Sequence, residues 1–497
     1  MKIFLANPPC KISIDAETER FYVRAGSRWP FSMMKKKNQK PSYVTYPFYL
    51  AYTSSLLQEN GFDVDVCDGV ALDYSEKKFL KRIEKSSPDL LLFETATPTI
   101  YKDFELAKAI KERLPKIKIA LSGAHVTVFP KETLGNEFVD FVMLNEYELN
   151  FLELAKRLEN GKGFEGMMGI GYKENGKIRV VPNNSWVDLS KLPFPDRKNF
   201  PETGKGGIDY YWDGFCTYRP AAQMHSSRGC PFKCNFCLWN QVMYRCGPYR
   251  FFEPKKVVDE MEILMNEYRA REIYFDDDTF TGNKQNVLNL CKEIGERIPK
   301  ARFSLMGDFM ISDEEMIRAL HDAGCIGMKF GVESADANIL KGIGKPIDFK
   351  RIRKNAKLCA ELGIKTHATF TFGLFGETKK TMHKTLDFAK ELDSDTIQVS
   401  ITTPFPGTGY YEEAKKRNLL ITEDWRKYDG SSSSVVKFEN LTHEEVENFA
   451  CKAYDDWLRA KKRDPRWLLR QARYSWRQIE GRGIRDFIRR VVKVVRT

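Results

Sequence analysis

The sequence predicts an α/β protein built on two successive sheets: a doubly wound parallel sheet, then an open, partial barrel of six strand–helix units, followed by a basic helical C-terminal region. Three observations carry this. Apolar strand-like runs alternate with amphipathic helical stretches over residues 1–160, the pattern of a parallel sheet wrapped by helices. The alternation restarts at residue 223. In that second half, polar and cysteine-bearing stretches follow the strand candidates one after another, as they do where catalytic groups gather at the carboxyl ends of barrel strands.

In the first half the strand candidates are Lys2–Asn7, Phe62–Val66, Asp89–Glu94, Ile117–Leu121 and Val139–Leu144. Helical patterns lie near Tyr49–Asn60, Ser75–Lys85, Tyr101–Leu114 and Glu146–Asn160. The strand ends carry Asn7-Pro8-Pro9, Asp68-Gly69, Glu94-Thr95-Ala96-Thr97 and Ser122-Gly123-Ala124-His125, where an open sheet binds ligands. Residues 167–182 read as a hairpin about an Asn175-Gly176 turn, a dipeptide suited to type I′ geometry. The stretch 183–222, rich in Pro, Gly and aromatics, reads as a linker.

In the second half the strand candidates are Gln223–Ser227, Glu272–Phe275, Arg302–Met306, Met328–Val332, Thr366–Phe372 and Thr396–Ile401. Helical patterns follow at Pro254–Glu267, Lys284–Ile298, Asp313–Ala323, Phe349–Leu362 and Lys379–Leu392. The expected organisation is therefore a Rossmann-like domain over 1–165, hairpin and linker over 166–222, the partial barrel over 223–430 and a basic helical region over 431–497.

Charge and composition narrow the function. Residues 451–497 hold 15 Lys and Arg against 5 Asp and Glu, so +10 of the net +12 lies there and the remainder is close to neutral. Any anionic partner is expected to meet the tail rather than the barrel. No run reaches the ~18 apolar residues of a membrane span, and no signal-peptide pattern opens the chain. Eleven cysteines, few in regular pairs, suit a reducing compartment, so a cytoplasmic location is expected.

The most specific signal is Arg228-Gly-Cys-Pro-Phe-Lys-Cys-Asn-Phe-Cys-Leu-Trp239. Cys230, Cys234 and Cys237 supply three thiolates, one fewer than the four that usually hold a cubane iron–sulfur cluster, which leaves one iron open for a small molecule. The alternatives are a zinc site, which wants four closed ligands, or a disulfide. Cys216 or Cys246 as a fourth thiolate would close the open iron. Cys-x3-Cys-x2-Cys with Phe236 before the last cysteine resembles the radical S-adenosylmethionine (radical SAM) enzymes. The resemblance implies a [4Fe–4S] cluster whose open iron binds the amino and carboxylate groups of SAM, with Phe236 near the adenine. Reduction of the cluster then splits SAM and yields a 5′-deoxyadenosyl radical, which takes a hydrogen atom from an unactivated carbon.

The rim offers further candidates. Asp276, Asp277 and Asp278 are consecutive carboxylates that need cations or donors. By resemblance Asp276 or Asp277 meets the SAM methionyl ammonium, and helix capping by Asp277 or Asp278 is the alternative. Glu333 and Ser334 suit a ribose diol, against a rim salt bridge from Glu333 to Lys329 or Arg302. Gly373 and Gly376 permit close backbone approach to a ligand, and their stretch resembles the family's adenine-side element, with Phe375 where proline is usual. Glu377 reads as a helix start.

The first half resembles the cobalamin-binding domain fused to many radical SAM enzymes, on Asn7-Pro-Pro9, Ser122-Gly-Ala-His125, Val139-Asp-Phe-Val142 and Asn145-Glu-Tyr-Glu148. That likeness places cobalamin near Ser122, Gly123 and His125. No Asp-x-His-x-x-Gly occurs, so cobalt would lack that motif's axial histidine, and a fold remnant or a satisfied loop histidine is the alternative. The nearest subgroup in pattern is the hopanoid-associated radical SAM proteins.

The expected activity is methylation or carbon–carbon bond formation on a small-molecule or lipid substrate, with flavodoxin or ferredoxin as electron donor. The Trp- and Arg-bearing tail 451–497 is a candidate for an anionic membrane interface, against helices packed on the barrel. Nucleic acid is a less favoured partner. The rival readings are a tRNA-modifying methylthiotransferase-like enzyme, for which Cys10 and Cys67 are too few to hold a second cluster, and a nucleic-acid-binding protein with a structural metal.

Overall fold

The computed structural model describes residues 1–484 apart from 27, 29, 38, 40, 42, 431–433 and 483. The part of the tail at 483 and 485–497 lies outside the described residues. The chain forms two units, one of residues 1–211, 235–247 and 403–435 and the other of residues 212–234, 248–402 and 436–497.

The first unit is organised by β1 (Lys2–Asn7), β5 (Asp63–Asp68), β6 (Leu90–Glu94), β7 (Lys118–Ser122) and β8 (Phe141–Met143). Between β1 and β5 come β2 (Lys11–Ser13), β3 (Thr18–Val23) and β4 (Phe31–Lys36), which form a separate three-stranded sheet. The main sheet runs β5-β1-β6-β7-β8 with every neighbour parallel. Numbered among themselves these strands have the order 2-1-3-4-5, whose topological switch point opens a crevice at the carboxyl ends of the first and third strands, here β1 and β6. The strands are apolar on both faces, with Ile3, Phe4, Leu5, Leu90, Leu91, Leu92 and Phe93 fully buried, as a helix-covered parallel sheet requires.

The hairpin of β9 (Ile170–Glu174) and β10 (Lys177–Val181) continues this sheet antiparallel to β8. Asn175 and Gly176 both take positive φ, 49° and 73°, as the type I′ reading expects. The hairpin therefore extends the first sheet rather than standing apart in a linker.

The second unit is a six-stranded sheet in the order β11 (Ala221–Met224), β14 (Glu272–Phe275), β15 (Phe303–Met306), β16 (Cys325–Glu333), β17 (Lys365–Phe372) and β18 (Thr396–Ile401). All five pairings are parallel and the order runs from β11 to β18 without closing, so the barrel is partial. A short antiparallel pair, β12 (Ser227–Arg228) with β13 (Arg250–Phe251), lies just past the end of β11.

Helices His443–Lys461 and Pro465–Arg482 complete the second unit. Their inner residues are spent on the barrel. Trp457 Nε1 donates to the Ala389 carbonyl at 3.1 Å, Lys461 Nζ to the Leu392 carbonyl at 2.7 Å, and Trp467 Nε1 to the Asp395 carbonyl at 3.1 Å.

Candidate active site

The cysteine loop starts where β12 ends. Gly229 has φ 95°, and a Cβ placed there would stand 3.0 Å from the Pro248 carbonyl oxygen, so the turn into Cys230 needs glycine. The Asp276–Asp278 run holds this turn from behind. Asp277 is fully buried and accepts from the Ser226 and Ser227 amides and from both hydroxyls. Burial pushes its carboxyl up to about 7 against those donors. Asp278 accepts from the Gly229 amide at 3.0 Å.

Asp277 is thus a structural acceptor facing the strand–loop junction, which corrects its assignment to a ligand. Asp276 is buried at the end of β14. Neither Asp277 nor Asp278 caps the following helix: Asn283 does, accepting from Asn286 N at 2.9 Å.

Thr279 donates its hydroxyl to Cys230 Sγ at 3.1 Å. Among the described residues the three motif cysteines form no disulfide; Cys234 is buried, and Cys230 and Cys237 are part-exposed. Cys237 and Phe236 belong to the 235–247 segment of the other unit. Burial raises the Cys230 thiol and pushes Cys234 up to about 12, with the positive charge of Lys345 pulling against it. Among the described residues, no three His, Cys, Asp or Glu side chains are gathered to hold a single metal ion. The loop offers separate soft donors, whose chemistry suits an iron–sulfur cluster.

At the end of β16, Glu333 has φ 67°. Its Oε1 accepts from Lys345 Nζ at 3.1 Å and its Oε2 from the Thr371 hydroxyl at 2.9 Å. The salt-bridge alternative for Glu333 is real, but with another partner: Lys329 donates instead to Asp213 at 2.5 Å, and Arg302 lies over the Tyr218 ring. Lys345, 3.8 Å from Asp308 at the end of the third barrel strand, is a site residue the sequence reading missed. The only signal for Lys345 was a lysine set between Gly344 and Pro346 in a loop past a rim strand. Ser334 is fully buried; its Oγ accepts from Asp336 N at 3.2 Å and lies 3.3 Å from Thr385 Oγ1. It serves its own turn, a correction to its ribose role.

Gly373 and Gly376 take φ 84° and 81°. A Cβ at Gly373 would lie 3.0 Å from the Phe438 ring, so this glycine makes room for the protein's own side chain. Glu377 does not open the next helix, which Thr378 caps through Thr381. It folds back to accept from the Gly373 and Leu374 amides at 2.6 and 3.2 Å, and burial pushes its carboxyl up to about 8.

In the first unit, Ser122 ends β7 and Gly123 turns the chain with φ 114°. A Cβ at Gly123 would stand 2.4 Å from the Thr95 carbonyl oxygen. His125 follows, buried, with its ring 5.1 Å from Phe129 and 5.5 Å from Trp425. Burial lowers its pKa to about 3, so it is a neutral imidazole. Its Nδ1 and the Asn7 Oδ1 at the end of β1 are buried and lack a hydrogen-bond partner among the described residues. Orphaned polar atoms at strand ends are what a ligand would satisfy.

Around the switch point, Arg24 pairs with Asp103 at 2.7 Å and donates to the Glu94 carbonyl at 2.7 Å, while Tyr147 donates to Glu94 Oε2 at 2.9 Å. The sequence held no pattern marking Arg24, since its partners come from elements about 70–80 residues away.

Comparison with known proteins agrees in both halves. Residues 224–389 match the radical SAM superfamily and residues 38–155 match the B12 binding domain. An uncharacterized methyltransferase of Pyrococcus horikoshii is 33% identical over 410 residues, 82% of this chain and 86% of the relative. The hopanoid C-3 methylase of Methylococcus capsulatus is 22% identical over 392 residues, covering 77% and 71%. Among solved structures, the radical S-adenosylmethionine methyltransferase TsrM of Kitasatospora setae, bound to tryptophan and a SAM analog, superimposes with TM-score 0.65 at 19% identity, over 85% of this chain and 77% of that one; at that identity the likeness is one of fold. The chain belongs to the radical SAM superfamily, among the enzymes that carry a B12-binding domain ahead of the radical SAM barrel.

Proposed function

We propose that this enzyme uses a [4Fe–4S] cluster on Cys230, Cys234 and Cys237, together with SAM and cobalamin, to functionalise an unactivated carbon by methylation or carbon–carbon bond formation. The observation that carries this is the loop of three disulfide-free cysteines following the first barrel strand of a chain that matches both family domains. The cluster supplies the electron for SAM cleavage and the corrinoid a carrier for a methyl group; the protein supplies binding and orientation.

The chain's own residues have distinct tasks. Thr279 and the Asp277–Asp278 pair fix the cysteine loop. Glu333, held by Lys345 and Thr371, faces the ribose, and Asp276 the methionyl end of SAM. Asn7 and His125 meet the corrinoid. The 33% identical relative is named a methyltransferase, which favours methyl transfer over coupling. The methylthiotransferase reading would need a second cluster ahead of the barrel, and residues 1–165 offer only Cys10 and Cys67 for it.

The substrate is read as a lipid or other natural-product molecule, on the likeness to the hopanoid methylase, with a flavodoxin- or ferredoxin-type donor in the cytoplasm. Among the described residues no helix is long and apolar enough to cross a membrane. The face of helix Pro465–Arg482 turned away from the barrel carries Leu469 and Trp476, 73% and 65% exposed, beside exposed Arg466 and Arg473. This stripe is the segment of the tail suited to an anionic membrane surface; a Leu469→Ser/Trp476→Ser variant is expected to lose co-sedimentation with anionic vesicles.

Anaerobic reconstitution followed by dithionite and SAM is expected to yield 5′-deoxyadenosine, detected by mass spectrometry. The Cys230→Ala/Cys234→Ala/Cys237→Ala variant is expected to yield none; equal product from both would refute the assignment. Corrinoid bands in the absorption spectrum of protein purified with cobalamin supplied test the first unit separately.

A further inference from the structure

Lys345 places a buried ammonium beside the cysteine loop. Its side chain is 7% exposed and donates to the Gly331 carbonyl at 2.9 Å and to Glu333 Oε1 at 3.1 Å, with Asp308 Oδ2 3.8 Å away. The preceding residue touches the loop itself: a Cβ built on Gly344 would lie 3.5 Å from the carbonyl oxygen of Lys233, the residue before Cys234. The two segments therefore run side by side where Cys234 and Lys345 emerge.

Burying an ammonium costs several kcal/mol unless it is paired and hydrogen-bonded. One carboxylate would neutralise this one, yet it lies between two, and its charge also acts on the Cys234 thiol.

We propose that Lys345 is a positioning residue for the cluster's electrostatics: its fixed charge sets the reduction potential of the iron–sulfur cluster held by Cys230, Cys234 and Cys237. This rests on the cluster assignment above. Reduction takes one electron from an external low-potential donor and leaves the cluster one unit more negative. A nearby fixed cation stabilises the reduced state more than the oxidised one and raises the potential. Charge acts strongly across a poorly polarisable interior, and local charge and hydrogen bonding are among the levers on iron–sulfur potentials. The contacts to Gly331 and Glu333 hold the ammonium in place, and Thr371 fixes the far oxygen of Glu333. Removing the cation leaves Glu333 and Asp308 uncompensated beside the cluster; removing Glu333 leaves the cation less compensated. The two changes act in opposite directions.

The test is an anaerobic redox titration of the full-length protein without SAM, followed by electron paramagnetic resonance. Iron and sulfide per chain are measured first. Lys345→Gln is expected to disfavour reduction at least tenfold, a midpoint about 59 mV more negative for a one-electron couple. Lys345→Arg is expected to stay within threefold of wild type, and Glu333→Gln to move the midpoint to more positive values. A full-cluster Lys345→Gln protein with the wild-type midpoint overturns the proposal. So does a Glu333→Gln midpoint that is unchanged or more negative, which decides the matter even if Lys345→Gln does not fold. Wild-type protein without iron and sulfide would overturn the cluster assignment itself.

Discussion

Arg470 donates its Nε–H to the Asp395 carboxylate at 2.8 Å, and this contact ties the C-terminal helix to the start of the last barrel strand. Asp395 is fully buried and also accepts from the Thr366 amide at 2.9 Å and the Tyr474 hydroxyl at 3.2 Å. Removing it leaves the Arg470 guanidinium, among the described residues, only a longer contact to Asp393 at 3.5 Å and takes the acceptor from the Thr366 amide and the Tyr474 hydroxyl. Asp395→Ala is expected to cost about 3–5 kcal/mol, the range for breaking a buried pair from one side, as read by chemical unfolding. Trp476→Ser, on the exposed face of the same helix, is expected to cost less than about 1 kcal/mol.

Glu94 should make the stability of the first unit depend on pH. Burial holds its carboxyl at about 7 in the folded chain, against an ordinary 4.5. Below 4.5 it is protonated in both states and contributes no slope. As pH rises from 4.5 to 7 the unfolded chain releases the proton while the folded chain keeps it, so folding stability falls. Above 7 both states are ionised and the loss is complete. At one unit per 1.36 kcal/mol, the loss is about 3 kcal/mol. Glu94→Gln lacks this group, so its stability relative to wild type is expected to climb between pH 4.5 and 7 and level off above. Urea midpoints across that range, with no corrinoid present, check it; a constant difference would show that Glu94 ionises normally.

Gly123 gives a sharper steric test. Alanine there brings Cβ to 2.4 Å from the Thr95 carbonyl oxygen, on a backbone with φ 114°. Gly123→Ala is expected to lose at least about 2 kcal/mol and to reduce corrinoid uptake. Gly163→Ala, where a Cβ meets nothing within 4 Å, is expected to be nearly neutral.

Leu90–Glu94 was legible as an apolar run bounded by turn residues, and Thr396–Ile401 as apolar residues alternating with polar ones. The Asn175-Gly176 hairpin was legible because its turn chemistry is local. The small sheet of β2 to β4 was not. Its strands carry Lys11, Glu19, Arg20 and Lys35, and their pairing depends on partners such as Glu19 with Lys35 and Asp429 with Arg20, the last more than 400 residues distant. The same reason hid Lys345: the cysteine spacing shows in one short stretch, whereas a buried counter-charge is defined by Glu333, Asp308 and the loop that brings them together. The acidic run misled differently. Three adjacent carboxylates suggest a ligand, but strand-end geometry turned Asp277 inward to the Ser226–Ser227 amides.

That inward turn yields the last test. Asp277 Oδ1 accepts the Ser226 and Ser227 amides together with the Ser227 hydroxyl, three donors that need an oxygen and not a charge. Asparagine keeps the oxygen and also removes a carboxylate that burial already holds at about 7. Asp277→Asn is therefore expected to stay within about 1 kcal/mol of wild type and to bind iron normally. Asp277→Ala leaves buried amides unpaired, at about 1–3 kcal/mol for each group, and frees the segment that leads through Gly229 into Cys230. Its iron and sulfide content after reconstitution is expected to fall well below that of Asp277→Asn. A direct ligand role would instead leave iron content intact in both variants and weaken SAM binding in both, since each lacks the carboxylate. Iron analysis and SAM titration on the two proteins separate a scaffold for the cysteine loop from a contact to the cosubstrate.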